Sequence, residues 1–166
     1  RIESVAEAVA RRIGVAVAAL RLAPVLGPHV PSPLGRLLRQ PVVPFSILAD
    51  PPFAVVEDAD AARAFVRAAE RRVTGPLNVV APGAITGLQA VLRGKRIPLP
   101  LVGPEWWITR QLSHLGGAPI PEHVMEVLHR GRLADGTRAH DVLGFVPART
   151  TPQVIDRLFE WESVVR

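Results

Sequence analysis

Histidine and carboxylate side chains are the groups in this sequence that could bind a metal ion, because the chain has no cysteine. They are densest in the segment 122–129, EHVMEVLH. His123 and Glu126 share one face of a predicted helix, but His129 follows His123 by six positions, whereas a helical zinc site uses histidines four positions apart. We therefore interpret this segment as the polar face of a helix and predict no metal site.

Nucleophilic catalysis has little support in the sequence. The Gly-x-Ser-x-Gly turn that exposes a catalytic serine does not occur. Ser32, Ser46 and Ser113 have no histidine at a suggestive spacing. A serine or cysteine hydrolase is therefore not predicted.

The charge pattern argues against a nucleic-acid partner. The net charge is +5, but the 20 basic residues are scattered among 15 acidic ones and lack interleaved aromatic residues that could stack on bases. No apolar run approaches the roughly 18 residues of a membrane-spanning helix. We predict no transmembrane segment and, without a recognisable leader, a cytoplasmic location.

Helical and extended segments alternate along the chain. Residues 2–13 show the spacing of an amphipathic helix, and Val15–Leu22 is almost continuously apolar, which is typical of a parallel strand covered on both faces. Thr86 is the predicted N-cap of a helix over 87–93. Further strands are predicted at 43–48, 53–56, 77–80 and 97–101, and further helices at 33–39, 61–71, 121–130, 137–143 and 152–164, with one more containing Trp106 and Trp107. This alternation predicts an α/β protein that becomes mostly helical toward its C-terminus.

Four short patterns occur in a characteristic order. They are LRLAPVLGP at 20–28, VVEDADAARA at 55–64, GPLNVV at 75–80, and DGTRA at 135–139 followed by LGFVP at 143–147. Each taken alone is also explained by a turn, a helix cap or a strand edge. Together they resemble the extended short-chain dehydrogenase/reductases, the NAD-dependent epimerases and dehydratases that act on nucleotide sugars and related substrates.

The resemblance implies a fold class and a function. The fold would be α/β, the C-terminal part of a Rossmann-like NAD(P)-binding fold with a small, largely helical substrate-binding subdomain. Residues 1–30 would be the last helix and strand of the core, and residues 31–166 the substrate-binding region, with a strand near 75–81 returning to the core. The chain would be the substrate-binding portion of an epimerase/dehydratase-like oxidoreductase or isomerase, or a catalytically silent member that binds a ligand or partner. An independent α/β domain with an accidental resemblance would instead cover Val15–Leu22 on both faces by itself.

The family's cofactor and catalytic motifs are not in this sequence. It contains neither the glycine-rich turn nor Tyr-x-x-x-Lys, having no tyrosine and a single lysine, Lys95. The interval from Glu3 to Leu20 resembles the family interval that begins one helical turn after the catalytic lysine, which would place that lysine just before Arg1. We therefore expect a C-terminal half whose partner is a missing N-terminal half. NAD or NADP would bind to the full-length parent and not to this chain alone, and whether a homodimer forms stays open.

The resemblance also suggests binding residues. Ala23, Pro24 and Val25 would border the cofactor. Pro24 stands where the family often has a substrate-binding asparagine, and Phe53 stands about where it has an arginine for the nucleotide diphosphate, so both departures favour a substrate other than a standard nucleotide sugar. The remaining candidates for the substrate pocket, for each of which a surface salt bridge is the favoured role, are His29, Arg36, Arg39, Arg130 and Arg132.

Overall fold

A computed structural model describes residues 2–101 and 122–162 of the chain as mixed α/β structure. In chain order the elements are α1 (Ile2–Ile13), β1 (Ala18–Leu22), β2 (Val25–Leu26), α2 (Pro33–Leu38), β3 (Val42–Ser46), β4 (Val56–Glu57), α3 (Asp58–Glu70), β5 (Gly75–Val79), α4 (Gly87–Arg93), β6 (Ile97–Leu101), α5 (Glu122–Arg130), α6 (Thr137–Leu143) and α7 (Thr151–Leu158). The predicted α/β class is confirmed.

The described strands form three parallel pairs, which are β1 with β5, β2 with β4, and β3 with β6. In the first pair, Ala18 lies beside Gly75 and Leu22 beside Val79. Parallel neighbours need a crossover connection, and here the intervening chain supplies helices such as α2 and α3. The pairing therefore brings together segments that lie far apart in sequence.

Two apolar clusters form the core of the described structure. The first contains Leu38, Phe53 and Ile155 and lies among α2, α4, α5 and α7. The second contains Leu77 and Leu143 and lies between the β1–β5 pair and helices α3 and α6. No described helix is long and apolar enough to cross a membrane.

Most predicted elements match the structure closely. The helices over 87–93 and 137–143 and the strand over 97–101 have the predicted bounds, and Thr86 caps α4 in a reciprocal capping box with Gln89. The predicted helix with Trp106 and Trp107 lies outside the described residues.

The prediction of a parallel strand within Val15–Leu22 is confirmed, but its predicted start was wrong. The strand begins only at Ala18, because Gly14 adopts φ +73° and the Val15 amide returns to the Ala10 carbonyl at 3.0 Å, which ends α1 and leaves a short extended connection. The described residues alone leave this segment partly uncovered, since Val15 is 55% exposed and Leu22 is 39% exposed. The described residues therefore do not supply the cover that an independent α/β domain would give this strand.

Two other segments end differently from the prediction. At 53–56, only Val56 belongs to a regular strand, and Phe53 forms isolated bridges to Ile85 and Arg132. The last helix ends at Leu158 and not at 164, because the chain then tightens into a turn in which the Phe159 amide bonds to the Asp156 carbonyl. Periodicity alone does not reveal such an end.

Candidate functional site

A cleft of about 320 Å³ opens at the carboxyl end of β1, and we call it the Pro24 cleft. One wall consists of Leu22, residues 24–25 and residues 30–34. The other wall consists of Val124 and Val127 from α5 together with Arg132, which follows α5. The cleft thus lies between the segment that leaves β1 and the helical C-terminal region.

Backbone hydrogen bonds fix the first wall. The Ala23 amide donates to the Val79 carbonyl at 3.0 Å, which extends the β1–β5 pairing by one residue. The Pro24 carbonyl then accepts from the Val56 amide at 3.1 Å, and β2 continues beside β4. The prolines and the glycine of LRLAPVLGP therefore carry the chain from one strand pair to the next.

Arg132 is held in place by its backbone and not by its side chain. Its amide donates to the Pro52 carbonyl at 3.2 Å, and its carbonyl accepts from the Ala54 amide at 3.0 Å. The side chain is exposed and has no acidic partner among the residues whose side chains the structure describes, which excludes Glu122. Arg132 is thus a basic lining residue of the cleft, and its side chain has no counter-ion among the described side chains.

A carboxylate corner adjoins the first wall at the start of α3. Asp58 accepts hydrogen bonds from the His29 amide at 3.1 Å and from His29 Nδ1 at 3.0 Å, and its other oxygen accepts from the Ala59 amide at 2.7 Å. The amino end of a helix favours negative charge, so this position suits a carboxylate. Gly27 leaves the room that Asp58 occupies.

Two more acidic residues around the start of α3 bind the segment that precedes α7. Glu57 forms an ion pair with Arg149. Asp60 is fully buried, accepts from the Ala148 amide at 3.0 Å and pairs with Arg63. The acidic pattern at 55–64 therefore performs a structural role here, since it fastens α3 to the C-terminal region.

A second and wider cleft, of about 670 Å³, opens at the carboxyl end of β5. It is lined by residues 80–84, 133–137 and 145–147, with Ala54 and His140. Asp135 accepts from the Thr137 hydroxyl at 2.5 Å and from the Thr137 amide at 2.9 Å, and these hydrogen bonds hold the pKa of Asp135 below its ordinary value. Both clefts lie at the carboxyl edge of the β1–β5 pair, where open α/β sheets bind their ligands.

The structure brings some of the predicted binding residues together. Pro24, Val25 and Arg132 line the Pro24 cleft, and Ala23 comes directly before Pro24. His29 lies at the carboxylate corner with its side chain mostly exposed.

The other predicted residues lie elsewhere. Arg36 is exposed on α2, and Arg39 donates hydrogen bonds to the carbonyls of Leu158 and Trp161. Phe53 is fully buried in the first core cluster. Arg130 lies 3.6 Å from Glu126 in a surface ion pair.

Sequence reasoning missed the apolar residues of the cleft. A search for polar and charged groups passes over Val30, Leu34, Val124 and Val127. The spacing of Val124 and Val127, three positions apart on one helical face, was the available signal. That spacing is equally typical of a core-facing helix, so it does not by itself indicate a binding site.

No family model matches the chain. It is 34% identical over 152 residues to uncharacterized proteins of Mycobacterium tuberculosis and Mycobacterium bovis, which covers 90% of this chain and 40% of each relative. The chain thus spans two fifths of the length of the curated relatives it matches.

Solved structures resemble the chain more closely in fold than in sequence. A dTDP-glucose 4,6-dehydratase from Bacillus anthracis in complex with NAD superposes with a TM-score of 0.69 at 12% identity, covering 96% of this chain and 48% of that one. A UDP-glucuronic acid 4-epimerase from Bacillus cereus in complex with UDP-glucuronic acid and NAD gives 0.66 at 14% identity, covering 96% and 49%. A UDP-N-acetylglucosamine 4-epimerase from Bacillus cereus gives 0.65 at 15% identity, covering 95% and 50%. The chain has the Rossmann-like α/β fold of these enzymes over about half of their length.

Proposed function

We propose that this chain is the substrate-binding portion of a longer NAD(P)-dependent, epimerase/dehydratase-like oxidoreductase or isomerase. The fold likeness and the four ordered sequence patterns support the proposal. The observation that carries it is the incomplete β1–β5 pair and the uncovered helix that precedes it.

Helix α1 presents an apolar face without cover among the described residues. Ile2, Val5, Val9 and Ile13 recur at helical spacing and are 52–88% exposed. Beside it, β1 pairs with β5 alone in the described structure. Parallel strands are normally covered on both faces, and a two-stranded sheet is only marginally stable, so we propose that further strands and helices of a Rossmann-like core complete this region.

This proposal divides the chain into two parts. Residues 1–30, joined by the strand near 75–81, would belong to the core, and the rest of 31–166 would form the substrate side. Val80 and Leu22 would then lie at the edge where the core meets the substrate.

The residues at that edge fit one part of a nicotinamide cofactor. The Ala23 amide and the Pro24 carbonyl already bond to Val79 and Val56, so Ala23, Pro24 and Val25 offer mainly apolar surface. Such a surface suits the face of a nicotinamide ring and not a pyrophosphate, whose binding we assign to the remainder of the parent. NAD or NADP would supply hydride acceptance and return, while this chain positions the substrate.

A mass measurement followed by cofactor binding tests the proposal. The intact mass of the protein from its native source, with peptide mapping upstream of Arg1, establishes whether a longer chain exists. The longer chain should contain the glycine-rich turn and Tyr-x-x-x-Lys and should enhance NADH or NADPH fluorescence, whereas the 166-residue chain should not. A native mass equal to 17.9 kDa, or a longer chain that lacks one or both of these motifs, would overturn the enzymatic proposal.

Pro24 favours a second candidate function, a catalytically silent ligand-binding or partner-binding member of the same fold. Proline has no side-chain hydrogen-bonding group to offer in place of the family's asparagine. A longer chain that binds NADH but shows no hydride exchange with any alcohol or ketone bound by the Pro24 cleft would support this candidate.

A further inference from the structure

We infer that the Pro24 cleft binds an apolar molecule carrying a single carboxylate, and not a nucleoside diphosphate. This inference rests on the proposed function and names the substrate class of the same site. It is argued from the lining of the cleft, from the charge within it and from its size.

The described residues that line the cleft are almost all apolar. Its first wall includes Pro24, Pro31 and Pro33, none of which has a backbone amide to donate. The Ser32 hydroxyl accepts from the Gly35 amide at 3.4 Å as the N-cap of α2, and its own O–H is the one side-chain donor besides Arg132 among the described lining residues. A sugar or a pyrophosphate needs several hydrogen-bond donors, and this wall leaves few for it.

Among the described residues that line the cleft, one is charged. It is Arg132, and its side chain has no acidic partner among the described side chains. The neighbouring basic side chains have partners elsewhere, with Arg130 beside Glu126 and His29 beside Asp58. One guanidinium group matches one carboxylate through two parallel hydrogen bonds, whereas a diphosphate presents more charge than it neutralises.

The size of the cleft agrees with a small apolar ligand. A volume of about 320 Å³ lies at the low end of the roughly 300–1,000 Å³ found for small-molecule sites. A chain of about twelve carbons with one carboxylate therefore fits the volume and the charge better than a bulkier, more polar nucleotide sugar.

Isothermal titration of the full-length protein with three probes tests the inference. The probes are dodecanoate, the neutral dodecanol and UDP. We expect dodecanoate to bind more tightly than UDP. Replacing Arg132 with glutamine should weaken dodecanoate roughly tenfold or more and leave dodecanol unchanged, because the lost interaction is a charge-assisted hydrogen bond.

Two further variants make the test specific to the cleft. Arg130→Gln removes a neighbouring arginine outside the cleft and should leave dodecanoate affinity unchanged. Val30→Trp should fill the cleft and weaken dodecanoate and dodecanol together. Circular dichroism on each variant confirms that it is folded before its affinities are compared.

The opposite results overturn the inference. They are tighter binding of UDP than of dodecanoate, no binding of dodecanoate, or dodecanoate binding that Arg132→Gln does not weaken, as would occur on the apolar face of α1. Tight UDP binding lost in Arg132→Gln would leave the proposed function standing. Failure of the longer chain to bind NADH would overturn the proposed function without changing the dodecanoate result.

Discussion

His29 and Asp58 are joined by two hydrogen bonds, one from the His29 amide at 3.1 Å and one from its Nδ1 at 3.0 Å, both to the same carboxylate oxygen. The pair connects the loop after β2 to the start of α3, beside the Pro24 cleft. Asp58 comes close to the chain at Gly27, where a side chain would overlap the carboxylate. The geometry of the cleft wall therefore depends on a glycine with no other evident chemical role.

Replacing Gly27 with alanine should destabilise the protein. The added Cβ would overlap Asp58, and overpacking of this kind lowers the free energy of unfolding by about 1–3 kcal/mol. Urea unfolding of Gly27→Ala, Asp58→Ala and the double variant measures the effect. The cost of Gly27→Ala should be smaller in the Asp58→Ala background, and strictly additive costs would show that the overlap is not the cause.

Replacing Arg39 with methionine should loosen the end of α7. The guanidinium group donates to the Leu158 carbonyl from Nε at 3.0 Å and from Nη2 at 2.8 Å, and to the Trp161 carbonyl at 2.9 Å. These charged donors bind carbonyls that the helix end leaves unpaired, so their loss should lower the free energy of unfolding by about 1–2 kcal/mol. Arg36→Met, at an exposed position on α2, the helix that Arg39 follows, is the matched control and should change stability little. Equal effects of the two variants in urea unfolding would contradict the capping role.

Replacing Asp60 with asparagine should be costly because the carboxylate is fully buried. It accepts from the Ala148 amide at 3.0 Å and 3.2 Å and pairs with Arg63, and the change would weaken both interactions by about 1–3 kcal/mol in total. Asp156→Asn removes an ion pair with Arg93 whose partners are both 45% exposed, and an exposed pair contributes about 0–1 kcal/mol. Thermal unfolding of the two variants should therefore separate them clearly. Similar melting temperatures would show that burial of Asp60 adds nothing.

The sequence pattern predicts local structure in this protein better than it predicts contacts between distant segments. The capping box at Thr86 and the helix over 137–143 follow from residues a few positions apart, and both were confirmed. The bonds from Arg39 to the end of α7 and from Asp60 to Ala148 join segments far apart in the chain, and no local pattern encodes them. The apolar run at 15–22 indicates burial but does not specify what would cover the strand.

The same reasoning explains which parts of the candidate site were predicted. The proline and glycine pattern at 20–28 correctly located a turn out of β1, and Pro24 does line a cleft there. Arg132 shares that cleft because its backbone bridges to Phe53, a residue far from it in the sequence. The other wall comes from valines whose spacing is that of any packed helix, so polarity and spacing could not identify them.

Asp135 should titrate below an ordinary aspartate, whose pKa is about 3.9. The hydrogen bond from the Thr137 hydroxyl, at 2.5 Å, is the largest cause, and the Thr137 amide adds to it. Because the folded-state pKa is lowered, the stabilisation is present above about pH 3.9 and is lost as the pH falls through the lower, folded-state value. Carbon-13 NMR of the side-chain carboxyl should record this low pKa, and Thr137→Val should raise it toward the ordinary value. Thr74→Val, at an exposed threonine outside both clefts, should leave the Asp135 titration unchanged. An unaltered Asp135 pKa in Thr137→Val would show that the hydroxyl does not stabilise the carboxylate.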